Sequence, residues 1–159
     1  MKLTEQIAKL FEDVYYGPNW TGVNLKETLK DVTWQQATAK VHSLNTIAAL
    51  VFHLNYYVSA VLRVLEGKPI DASDKHSFDC PPISSDNEWQ ILLTRTWDDA
   101  HRFARMVIQT PEYRLWETFV NEKYGNYYRN FHGVIEHCHY HLGQIVVIKK
   151  LLAEKDPVQ

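Results

Sequence analysis

Apolar residues recur at helical spacing in four long stretches of the chain, and no stretch makes a convincing strand. Leu3, Ile7, Leu10, Phe11 and Val14 predict a first helix over about residues 3–16, stopped by Gly17-Pro18-Asn19. Ile47, Leu50, Val51, Leu54, Val58, Val61, Leu62 and Leu65 form one stripe of a second, from about Asn45 to Glu66, which Gly67 and Pro69 end. Ser85-Asp86-Asn87-Glu88 has the spacing of a capping box and opens a third, carrying Trp89, Leu92, Leu93, Ala100, Phe103, Ala104, Val107 and Ile108 up to Pro111. Phe131, Val134, Ile135, Cys138, Leu142, Ile145, Val146 and Leu152 repeat over a fourth, from about 127 to 153.

The segments between differ in character. Residues 17–44 read as a long connection in which Asn24 can cap a short helix carrying Leu25 and Leu29, and Thr33-Trp34-Gln35-Gln36 can cap another. Residues 67–84, rich in Pro and Asp and containing Cys80-Pro81-Pro82, read as a crossover loop. Residues 112–125 hold Trp116 and Phe119 without clear periodicity. The fold expected is therefore all-α, a four-helix bundle with long crossover connections at 17–44 and 67–84, in a single domain over 1–159.

Composition narrows the function more than the fold. With 159 residues, 45% hydrophobic, and five Trp, nine Tyr and six Phe, the chain can fill a sizeable core. A net charge of −2 offers no basic face for phosphate backbones, which disfavours nucleic-acid binding. The longest wholly apolar run, Ile47–Phe52, is short of the roughly 20 residues of a membrane span. Met1-Lys2-Leu3-Thr4-Glu5 does not open a signal peptide, and Cys80 and Cys138 form neither a CxxC nor a disulfide framework. These features lead to the expectation of a cytoplasmic protein without a membrane partner.

The count that changes the picture is eight His. His137 and His141 lie one turn apart on the fourth helix, so both imidazoles can reach a common point, as metal ligands do. His139, between them, points about half a turn away and cannot share their ion. His53 is the third candidate, on the flank of the second helix's apolar stripe near the small Ala49 and Ala60, with Tyr56 and Tyr57 adding polar tips. Ordinary hydrogen-bonded histidines on a helix flank would give the same spacing. His42, His76 and His101 fall on loops or polar faces, His132 precedes the pair by five residues, and Cys138 has the azimuth of the core stripe. Gln144 lies on the side of His137 and His141, where it can orient a ligand or act as a surface amide.

The string His137-Cys138-His139-Tyr140-His141-Leu142-Gly143-Gln144-Ile145 resembles the HxxYHxGQI signature that closes the DinB-like (DinB/YfiT-type) superfamily of metal-binding four-helix bundles. Trp20-Thr21-Gly22, Leu29, Ala37 and the run Asn45–Leu54 resemble that family's opening W-x-G…L…A…SIxELVxHI, so the likeness covers about residues 18–152. It implies a divalent metal, often nickel or zinc, held by His53, His137 and His141, and a homodimer. Some relatives are thiol-dependent S-transferases. Where the family often carries a basic residue this chain has Leu142, which leaves no cation there for a substrate anion.

Three His leave coordination open for water or thiol, as catalytic zinc does, so the chemistry expected is thiol S-transfer or metal-assisted hydrolysis of a small-molecule substrate. The alternative is a binding or structural module in which the metal only fastens two helices. No carboxylate at helical spacing from the three His marks a general base, and no nucleotide or thiol-cofactor motif is present.

Overall fold

A computed structural model describes residues 1–155 and is all-α, with six α-helices and no strand among the described residues. The long elements are α1 (Leu3–Tyr15), α4 (Ile47–Leu65), α5 (Asp86–Gln109) and α6 (Tyr127–Lys155); α2 (Leu25–Leu29) and α3 (Trp34–Thr38) are single turns within the first connection. Their starts follow local chemistry. The side chains of Asn24, Thr33, Thr46 and Ser85 accept from the backbone N–H of Glu27, Gln36, Ala49 and Glu88, each satisfying an amide that the first turn would leave unpaired. At Ser85 the capping box is shifted, because the Glu88 carboxylate takes the backbone N–H of Ser84 at 2.7 Å.

α1 packs on α5 and α6, and α4 packs on the same two helices, so α1 and α4 stand at opposite corners of a ring. Phe11 of α1 meets Phe103 of α5 at 4.4 Å between centroids, and Phe103 reaches Phe131 of α6 edge-on at 5.8 Å. All three are fully buried, and with Tyr15 they form the centre of the core. One polar tie lies inside. The buried Asp99 carboxylate accepts from Asn55 and Ser59 of α4 at 3.0 and 2.8 Å and from Arg102 at 3.1 Å, fixing α4 against α5.

This ring corrects one expectation. Residues 66–85 join α4 to α5, which pack directly, so this loop does not cross the fold. The diagonals are made by residues 16–46 and by 110–126. The first carries α2 and α3 and closes one part of the core, where Trp89 donates from Nε1 to the Val32 carbonyl at 2.9 Å. The second, aperiodic in sequence, holds two short 3-10 turns (Glu112–Trp116 and Glu122–Tyr124) and tucks Leu115 and Phe119 inward. Length alone did not distinguish a crossing connection from a local one.

α4 carries more apolar surface than its longest uninterrupted run suggests. By length and composition it matches a membrane span, with a mean hydropathy of 1.5, yet 67% of that stretch is buried within the protein, as in the central helix of a packed core.

Replacement of Phe103 by Ala should destabilise the protein by about 3–5 kcal/mol, because its fully buried ring packs on two other helices and its removal leaves a cavity between them. Chemical denaturation followed by helical circular dichroism gives the value; a loss below about 1 kcal/mol would contradict this packing.

Candidate metal centre

The packing of α4 on α6 brings His53, His137 and His141 together. His53 and His141 are buried and His137 is half-buried. The Nε2 atom of His137 lies 3.0 Å from that of His53 and 3.0 Å from that of His141. The i,i+4 spacing on α6 places one pair, and tertiary packing supplies the third ring.

The far side of each ring decides which nitrogen is free. His53 Nδ1 donates to the Ser77 carbonyl at 3.2 Å, and His141 Nδ1 donates to Gln144 Oε1 at 2.7 Å. Both rings therefore carry their proton on Nδ1 and present an Nε2 lone pair inward, as metal-binding imidazoles do. His137 Nδ1 is buried without a partner. If His137 places its proton on Nε2, it can donate to only one of its two neighbours, and the other contact is lone pair against lone pair. If it places the proton on Nδ1, all three lone pairs face one another. No assignment of protons to three neutral rings satisfies the cluster, whereas one cation at its centre accepts all three lone pairs, so the donor set fits a divalent metal.

Electrostatics favour the same state. Burial, and then the proximity of His141 and His53, push the pKa of His137 down to about 4. Burial and the nearness of His141 lower His53, and burial lowers His141 against the opposing effect of Gln144. At neutral pH the three imidazoles are uncharged and ready to ligate.

The loop between α4 and α5 supports the centre in a way that the sequence does not announce. Besides the Ser77 carbonyl, it supplies Phe78, whose ring stacks on His53 at 3.7 Å and 10°. Tyr57 stands edge-on to His53 and His137, at 5.2 and 5.0 Å, and donates its hydroxyl to Asp74 at 2.5 Å. Tyr56 is tied to Ser73 through both backbone groups. Three side chains of one α4 stretch, His53, Tyr56 and Tyr57, thus hold the loop down over the His cluster.

Gln144 is a support for His141 and no mere surface amide. Cys138 is fully buried, 3.7 Å from the Tyr15 hydroxyl, and its thiol is pushed up to about 12 by burial, so it is a core residue. His139 lines a groove with Trp20 and lies apart from the cluster. His42, His76 and His101 are exposed; His101 stacks on Tyr16 and His76 pairs with Asp79. His132 is half-buried against Tyr128. Tyr140 is largely exposed, its ring edge-on to His141 at 4.9 Å.

A cleft of about 360 Å³ opens on His53 and His137, walled by Tyr57 and Val61 of α4 and by Arg129, Asn130, Gly133 and Val134 of α6. A second, of about 450 Å³, touches Gln144 and none of the three His. No protein-family model, curated protein or solved structure matches the chain.

The lowered pKa values set a pH dependence for the metal-free protein. In the unfolded chain these imidazoles take up protons near pH 6.5, but in the folded protein His137 does so only near 4. Stability should therefore fall as pH drops from 6.5 towards 4, and His137→Gln should reduce that fall by on the order of 2 kcal/mol. Urea denaturation of both proteins at pH 7, 5.5 and 4.5 tests this; equal slopes would refute it.

Proposed function

We propose that the chain is a DinB-like four-helix bundle that holds a divalent metal, nickel or zinc, on His53, His137 and His141, and that it acts as a metal-dependent enzyme of the thiol S-transferase or hydrolase type. The observation that carries this reading is the cluster of three imidazoles whose candidate ligand atoms all lie within 4.8 Å of one another, with His137 Nε2 3.0 Å from both of its neighbours, beside a cleft wide enough for a small molecule. A divalent ion held by these three residues would lower the pKa of a thiol or water and so supply a nucleophile at neutral pH.

The chain's own residues do the rest. Ser77 and Gln144 fix the two Nδ1 protons and keep the ligating nitrogens turned inward. Phe78 covers His53 from one side, and Tyr57 packs its edge on His53 and His137, limiting the access of water to the ligands. The cleft gives a substrate an approach along α6 from the side of Gly133.

A structural role is the second reading, because His53 joins α4 to a helix more than 80 positions away in the chain, and a shared ion would staple the two. The two readings separate experimentally. Untagged protein should contain about one nickel or zinc per chain by elemental analysis, lost in each of His53→Ala, His137→Ala and His141→Ala. In the enzymatic reading, loaded protein transfers a thiol to an activated electrophile or hydrolyses an activated ester, and His141→Ala abolishes turnover while keeping its helical content. In the structural reading, chelation lowers Tm and there is no turnover to lose. Absence of metal after reconstitution with either ion would refute both.

A further inference from the structure

The cleft beside the metal ligands has a direction. Arg129, Gly133, His137 and His141 follow one another at intervals of four along α6 and so share one face, with Arg129 about 12 Å of helix axis from His137. Gly133 stands between them, and a Cβ there would meet no atom within 4 Å, so the floor of the cleft is open from Arg129 to the His cluster. At its far end Gly125, with φ +70°, leaves room for the Arg129 stem, whose Cδ would lie 2.8 Å from a Cβ at that position. Arg102 and Arg114 both have carboxylate partners, but Arg129 forms no ion pair among the described residues. The walls between the two ends are Val61, Val134 and the Tyr57 ring.

From this we propose that the cleft binds a small organic carboxylate lengthwise, its carboxylate on Arg129, its apolar chain along Val61 and Val134 over Gly133, and its metal-binding atom at the His cluster. This rests on the metal-centre reading and adds the substrate class. A single guanidinium matches one planar carboxylate, whereas a phosphate group generally gathers more than one cation.

Cobalt(II) loaded into the purified protein provides a readout that needs no turnover, since thiolate binding to the ion adds a charge-transfer absorption. The matched probes are 6-mercaptohexanoate and 6-mercaptohexanol, which share chain and thiol and differ in the charged end. The carboxylate should bind roughly tenfold tighter, as a charge-assisted pair with arginine contributes. Arg129→Gln should remove that preference and leave cobalt uptake and the affinity for the alcohol unchanged, while Arg129→Lys should keep part of it. Gly133→Leu, whose Cβ enters open space, should weaken both thiols by blocking the floor of the cleft without loss of cobalt. Equal affinities in the wild type, a preference that survives Arg129→Gln, or no spectral response to either thiol would overturn the carboxylate proposal alone. Failure to take up cobalt would overturn it together with the metal reading.

Discussion

Three imidazoles gathered between α4 and α6, with His137 Nε2 3.0 Å from the Nε2 of both His53 and His141, create an electrostatic demand that no arrangement of protons on neutral rings can meet. The surroundings are organised around that demand. Two of the rings have their outer nitrogens anchored to oxygen acceptors, burial keeps all three uncharged, and the Phe78 ring lies flat against His53. Such a cluster of facing lone pairs is costly in a poorly solvated helix interface, and a divalent cation is the kind of partner whose chemistry matches it.

The rest of the molecule bears the mechanical load. Aromatic packing through Phe11, Phe103 and Phe131 couples three helices, and the Asp99 network locks α4 to α5 on the side away from α6. α4 is thus held by apolar and hydrogen-bonded contacts independent of the His cluster, and this allows His53 to be offered to α6 in a defined orientation. Rigidity on one flank and an open cleft on the other is the arrangement that ligand-binding sites in helical proteins commonly use.

How much of this was legible in the sequence depended on whether the signal was local. Helical periodicity and the side chains of Asn24, Thr33 and Ser85 marked the helices, because repeat and capping act within a few residues. His137 and His141 could be paired from their spacing alone. His53 required the packing of α4 on α6, a tertiary fact, and was suggested by its place beside small residues and by the family-like strings. The second diagonal connection was misplaced, since loops 66–85 and 110–126 carry no mark of which helices are neighbours. The role of Ser77 was invisible for a different reason: it acts through a backbone carbonyl, which every residue possesses. Arg129 gains its meaning only from two glycines, one making room for its stem and one leaving the floor clear.

The pairing of α1 and α4 at opposite corners has a consequence for how the chain reaches its folded state. Consecutive long helices α1 and α4 do not touch as principal partners; each needs α5 and α6 as neighbours. During synthesis α4 can pair with α5 once α5 itself has emerged, but α1 and α4 both keep an apolar flank uncovered until α6 is made. The same helix brings two of the three imidazoles, so closure of the core and assembly of the candidate metal centre are one event in time. A nascent chain that pauses before α6 has neither, and its most apolar helix waits with His53 unpaired, in the condition in which a chaperone would recognise it.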